Sequence, residues 1–236
     1  MSKILLNPNA KRGKTALQLG KAMLAVIVLM FFVQIYTLIF YINLFDGTLD
    51  LQGTVSFGLI AGFSALAYLV IWVLFIIFFI MWFRRAYYNL HQFYGDLEFT
   101  EGWAAGAWFV PFLNLVRPFK IAKELNARTE ELLVKNSLGQ LNKSRSQVIN
   151  LWWAFFLIGN IVSNISSRMA NSTDFDMLIL SQYIGLAGSL LSVVAIVLCL
   201  KFIQQTTRME KLLTQISDVD TALGTLDNND ILDAGI

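Results

Sequence analysis

Hydrophobic positions along the chain gather into four long runs without a charged residue, at residues 22–45, 55–83, 148–167 and 177–200. A helix needs about 20 apolar residues to cross a hydrocarbon core of about 30 Å, so each run predicts one crossing. The expected fold class is therefore all-α, a polytopic membrane protein with four transmembrane helices. The second run is longer than a crossing needs, and its helix is expected to tilt or to protrude. Between the second and third runs lies a shorter apolar piece, residues 103–116, interrupted by Pro111 and Asn114 and closed by Arg117-Pro118. It is too short to span, and reads as a re-entrant or interfacial segment on the cytosolic side, a short helix broken near Pro111 with the break at Val110. Residues 120–134 follow with an apolar stripe of Ile121, Leu125, Leu132, Leu133 and Val134, which predicts an amphipathic helix lying along a surface. Three domains result: a basic cytosolic tail (1–21), a four-helix membrane domain (22–200) and a mostly acidic cytosolic tail (201–236).

Charge decides the expected orientation. Five Lys or Arg precede the first run, nine lie in residues 84–147 and three follow the fourth run. The 46–54 turn has none and the 168–176 turn has one, Arg168. Seventeen of eighteen basic residues then share one side, the positive-inside pattern with both termini cytosolic. A fifth crossing at 103–116 would move the basic residues from Arg117 to Arg145 outside. The first run is also too long for a signal peptide and lacks a small-residue cleavage site after it, so it reads as a retained helix.

Composition sharpens this picture by exclusion. The chain of 236 residues is 56% hydrophobic and only 14% charged, against about a quarter charged in an ordinary soluble domain. One cysteine, Cys199, and one histidine, His91, rule out an internal disulfide and a Cys/His zinc site. No catalytic constellation, cofactor motif or metal-ligand spacing is present, and five basic residues beside a membrane helix read as an orientation signal and not as a nucleic-acid site. Asp96, Glu98 and Glu101 form an acidic patch without EF-hand spacing, which reads as a solvated loop leading into a helix start.

Several side chains have expected places at the bilayer. Arg84, Arg85, Trp103, Trp108 and Arg117 are the candidate lipid-interface anchors, their charges or rings at headgroup depth. Asn160, Ser163, Asn164 and Ser167, spaced i, i+3, i+4, i+7, form a polar intramembrane face expected to turn inward and hydrogen-bond to other helices. Gly58 and Gly62 on the second run, and Ser181, Gly185, Gly188, Ser189 and Ser192 on the fourth, are small-residue faces expected to pack against neighbouring helices.

The stretches WFRRAYYNL (82–90), GWAAGAWFVPFLNLVRP (102–118) and NLWWAFFLIGNI (150–161) carry Trp82, Arg85, Asn89, Gly102, Trp103, Trp108, Pro111, Asn114, Pro118, Trp152 and Trp153. Together they resemble a mainly bacterial family of multi-pass membrane proteins catalogued as domain of unknown function 4328, over about residues 55 to 210. A departure is Ala107, where a second glycine is expected. The resemblance implies a location in the cell membrane and no assigned activity, and supplies no catalytic residue.

Three classes of function then stand. A non-enzymatic scaffold or regulatory component would bind the lipid bilayer and an unidentified protein partner at its cytosolic face. A small-solute transporter or channel would use the polar face of the third helix, against which stands the lack of Asp, Glu, Lys or Arg in the four runs. A membrane-embedded enzyme lacks a visible reactive pair. The first class leads. The charge asymmetry predicts that cysteines placed at Thr48 and Ser172 react with an impermeant maleimide added outside, and that one at Ser137 does not. External labelling at Ser137 would refute four crossings.

Overall fold

The structure is a computed structural model and describes residues 6–48, 51–139 and 142–233, with the side chains of residue 51 and of 218–233 not described. Among the described residues four helices are long and apolar enough to cross a membrane: α1 (Ala10–Phe45), α2 (Leu51–His91), α5 (Lys143–Met169) and α6 (Phe175–Asp233). Between α2 and α5 lie one turn of helix, α3 (Trp103–Gly106), a 3-10 turn (Leu113–Leu115) and α4 (Arg117–Lys135). The expected four-helix pattern is therefore present, with longer helices than the apolar runs alone. The 41-residue α2 extends about 60 Å at about 1.5 Å per residue, twice the thickness of a hydrocarbon core.

Both expected tails continue these helices. Within the basic segment expected at 1–21, residues 10–21 are helical and form the first turns of α1. The segment from 201 on continues α6 as far as Asp233, and the acidic side chains proposed there, Asp218 through Asp233, lie outside the described ones.

The chain divides into two compact units, each drawing on several helices. Unit 2 comprises residues 17–77 and 150–201 and holds most of the four apolar runs. Its outer surface is apolar, with Phe63 71% exposed and Ile161 61% exposed, the surface expected of helices in lipid. Inside, packing is close. The rings of Phe40 and Phe57 stack at 3.9 Å and those of Phe45 and Phe175 at 4.3 Å. A methyl at Gly188 would stand 3.1 Å from Ser163 Oγ, and one at Gly185 would meet Gln34 Nε2 at 2.0 Å. The small-residue face of the fourth run thus admits neighbouring helices. Gly58 and Gly62 differ, for a methyl on either would meet nothing within 4 Å, so the packing expected at that pair is not made among the described residues.

Unit 1 comprises the described residues up to 16, those of 78–149, and those from 202 on. Its core is aromatic. Trp82, Phe83, Tyr87, Leu90, Ile121 and Phe202 are all but inaccessible to solvent, and Trp82 and Phe83 meet Phe202 edge-on at 5.7 and 6.3 Å. Full burial of one such side chain is worth about 1.5–3 kcal/mol, so this cluster outweighs any exposed ion pair in the unit. Pro118 stands in the first turn of α4, where its missing N–H costs nothing. The apolar stripe of α4 is present and is packed mostly against protein. Leu133 packs with Met209, Leu213 and Ile216 of α6, and only Val134 of the predicted stripe is exposed.

Gly13 shows how tight this unit is. A methyl there would approach Thr207 Oγ1 to 2.7 Å and Trp82 Nε1 to 3.2 Å. Threonine is stiff at χ1 and Trp82 is fully buried, so neither gives way cheaply. Gly13→Ala should therefore destabilise by about 1 kcal/mol or more despite the better helix propensity of alanine, whereas Gly58→Ala should be neutral or gain up to about 1 kcal/mol. Thermal unfolding in detergent separates the two; equal behaviour would contradict the packing described for Gly13.

Candidate functional site

A buried polar arrangement surrounds Glu210, in unit 1. Asn9 ends the irregular N-terminal stretch, and its carbonyl accepts the first helical bond, from Gly13 N at 3.0 Å, the place of an N-cap. Its side chain does not cap. Asn9 Nδ2 reaches both oxygens of Glu210 at 3.1 and 3.0 Å and the carbonyl of Trp82 at 3.2 Å. Asn89, on the buried face of α2 one turn beyond Arg85, donates to Glu210 Oε1 at 2.7 Å and to the carbonyl of Asn7 at 2.9 Å. Asn7 N donates in return to Asn89 Oδ1 at 2.9 Å, so two asparagines tie the start of α1 to α2 and α6. Asn9 Oδ1, Trp82 Nε1 and the hydroxyls of Thr206 and Thr207 are buried without a partner near this junction's elements.

Glu210 lies beyond the last apolar run, which ends at Leu200. Burial pushes its carboxyl up to about 7, against the opposing effects of the Asn89 and Asn9 donors and of the Arg85 charge. An acid with a raised native pKa binds more protons folded than unfolded. Its contribution to stability is then present in full below about 4.5, the ordinary value, and is lost as the pH rises through about 7.

The second constellation is a clasp. Asp96, Glu98 and Glu101, expected as a solvated acidic loop, are each paired: with Arg128 at 3.3 Å, Lys120 at 3.3 Å and Arg84 at 3.1 Å. His91 Nε2 stands 3.0 Å from the carbonyl of Phe99, and Glu98 N donates to Glu124 Oε1 at 2.8 Å, with the other Glu124 oxygen accepting from Tyr87. The single histidine thus holds a loop, and the acids bind that loop to α2 and α4.

The 103–116 segment differs from the expected broken helix. Its helix ends at Gly106, four residues before Val110, and a turn carries the chain to the 3-10 turn. Phe112 takes a left-handed φ of 63°, which turns the chain and leaves its ring 83% exposed beside the exposed Phe109. Trp108 is not outermost, for its ring meets Phe79 edge-on at 5.6 Å and its Nε1 donates to the carbonyl of Ala104. Trp103 lies under the Arg117 guanidinium at 3.9 Å, a cation–π contact, while one Arg117 nitrogen is buried without a partner. Ala107, where a glycine was expected, is fully buried and its methyl is accommodated. Pro111 is exposed in the turn, and Asn114 N donates to the carbonyl of Val110.

In unit 2 the polar face of α5 is corrected. Asn160, Ser163, Asn164 and Ser167 do share a face, but all four are exposed, and of them Ser163 also lies beside Gly188 of α6. Asn160 Nδ2 donates to the carbonyl of Phe156 and Asn164 Nδ2 to that of Asn160, each one turn back on the same helix, so no bond to another helix is needed. The polar contacts between helices join Ser181 and Ser189, of the small-residue face expected to pack, to Ser166, Gln34 and Gln182, which no sequence pattern singled out. Ser166 donates to the carbonyl of Ser181 at 2.8 Å, and Gln34 lies between Gln182 and Ser189 at 3.4 Å from each. Trp152 and Trp153 are buried and meet edge-on at 5.7 Å.

Replacing Glu210 by glutamine keeps the shape of the junction and removes its titration. Native protein should lose thermal stability between about pH 5 and pH 7.5 while Glu210→Gln stays level over that range, with the variant the more stable at the alkaline end. Melting curves across pH in detergent test this, and parallel curves for the two proteins would refute it.

No curated protein and no solved structure matches the chain. The family described as Domain of unknown function (DUF4328) matches residues 49–208, which include α2, the clasp, α4, α5, and α6 as far as Arg208. Trp82, Arg85, Asn89, Gly102, Trp103 and the other signature residues all fall inside that match, and the chain belongs to the DUF4328 family.

Proposed function

We propose that this protein is a membrane-anchored, non-enzymatic scaffold or regulatory component, with four crossings, both termini cytosolic, and unit 1 presented to a protein partner at the cytosolic face of the cell membrane. The observation that carries the reading is how unit 1 uses its polar groups. Glu210, Asn89 and Asn9 hold α1, α2 and α6 together, and the acidic loop is paired with α2 and α4. Those side chains serve to fix a frame, and α4 is left with an outward face of Lys123, Ala127 and Glu131, all exposed at i, i+4, i+8. A rigid helix with a charged outer face suits recognition, since little ordering entropy is lost on binding.

In the same reading, residues 103–116 lie in the cytosolic interface of the bilayer without crossing it. The outward rings of Phe109 and Phe112 support this, as does the charge rule that disfavours a fifth crossing. Arg117 and the paired bases of the clasp would then stand at phosphate depth.

A photoreactive phenylalanine analogue at Lys123, at Ala127 and at Phe112 tests both parts in intact cells. Irradiation should give one discrete protein adduct from positions 123 and 127 and lipid adducts from position 112. Uniform labelling of many proteins from α4 would sink the scaffold reading, and absence of lipid adducts at 112 would sink the interfacial placement.

A further inference from the structure

Just beyond the last apolar turn of α2, a cleft of about 290 Å³ opens in unit 1, lined by Asn7, Arg12, Arg84, Arg85, Tyr88 and Glu101. Three guanidinium groups and one carboxylate face it, a net charge of two positive. Part of that charge is used by the protein, since the Arg85 charge also bears on Glu210, but few of the N–H donors are. Arg84 gives one nitrogen to Glu101 at 3.1 Å, and this pair is half exposed. Arg12 gives one nitrogen to the carbonyl of Met81 at 3.3 Å. Arg85 makes no hydrogen bond or ion pair among the described residues and rests over the ring of Tyr88 at 6.0 Å. Each guanidinium carries five N–H donors, so most donors in the cleft are unclaimed.

The walls are nonetheless well fixed. Arg84, Arg85 and Tyr88 rise from the part of α2 whose inner face is Trp82, Phe83, Ala86, Tyr87 and Asn89, all buried. Arg12 is one turn along α1 from Asn9, which is held by Glu210 and by the Trp82 carbonyl. Asn7 is held through both its N–H and its carbonyl by Asn89. Glu101 belongs to the clasp loop. The cleft thus has three arginines on two buried anchors, Arg84 and Arg85 on α2 and Arg12 on α1, and is not a loose basic surface.

We propose that this cleft is a binding site for a phosphomonoester group. Several guanidiniums converging on one concavity suit a tetrahedral anion with many acceptor oxygens, because each planar fork can pair two of them. A phosphomonoester carries a charge of about −1.5 to −2 near neutrality, which matches the net charge of the cleft better than the single charge of a phosphodiester. In this site Arg85 and Arg12 supply the unclaimed forks, Arg84 is oriented by Glu101, and the Tyr88 hydroxyl and the Asn7 amide are further polar groups at the rim. The group could belong to a lipid headgroup, since the cleft follows directly on an apolar run, or to a soluble phosphate. The site does not depend on the scaffold reading.

The full chain in lipid nanodiscs provides the test, with retained lipids read by native mass spectrometry. Discs of phosphatidylcholine containing phosphatidic acid, a monoester, are compared with discs containing the diester phosphatidylglycerol. In parallel, detergent-solubilised protein is titrated with inorganic phosphate at constant ionic strength and followed by its melting temperature. Preference for phosphatidic acid alone identifies a headgroup site, and stabilisation by inorganic phosphate identifies a soluble ligand. In whichever arm binds, Arg12→Gln and Arg84→Gln should each weaken binding by about tenfold, Arg12→Lys should recover part of it, and Arg168→Gln, in unit 2, should have no effect. Unliganded melting temperatures of the two half-exposed variants verify that the fold is kept. Equal retention of both lipids with no response to phosphate, or binding indifferent to both Arg12→Gln and Arg84→Gln, would overturn the proposal.

Discussion

A carboxylate removed from water has to be compensated, and unit 1 is arranged around that requirement at Glu210. Loss of hydration is only partly offset by two amide donors and a nearby arginine, which is why the carboxyl is held up to about 7. The compensation is also architectural. Asn9 and Asn89 reach Glu210 from α1 and α2, so satisfying one charge on α6 brings three helices to a single point. A buried ionisable group is weak evidence for net stability, and strong evidence for register: a helix slipped by one residue would leave Glu210 unpaired.

The aromatic core and the clasp follow from the same geometry. With α1 and α6 held at Trp82, the fully buried rings of α2 and Phe202 meet edge-on, and Gly13 becomes the position where a side chain cannot be added freely. Beyond them, the acidic loop adds individually weak exposed pairs. Their number matters less than their placement, because together with His91 and Glu124 they confine the loop that carries Glu101 to the arginine cleft.

Unit 2 obeys different physics. Helices surrounded by lipid gain nothing from simple apolar burial, so close approach and internal hydrogen bonds select their partners. Gly185 and Gly188 permit that approach, and Gln34, Gln182, Ser166 and Ser181 supply the polar contacts. The amides of α5 need no such partner, since each bonds to its own helix one turn back.

The order of residues by itself determined the helical class, the four apolar runs, the amphipathic α4 and the family, because these depend on local composition, periodicity and the spacing of Trp, Pro and Asn. It also picked out Arg84, Arg85 and Asn89, though not what they join. Only the tertiary structure decided which polar residues matter to one another. Periodicity puts Asn160, Ser163, Asn164 and Ser167 on one face, yet cannot tell whether that face turns inward. Asn9 and Asn89 lie 201 and 121 residues from Glu210, and no local pattern signals a contact at that separation. Arg12 likewise reads as one more basic residue before a membrane helix until α1 is folded beside α2. Periodicity is a property of one helix, whereas a buried charge and the groups that compensate it belong to several helices at once.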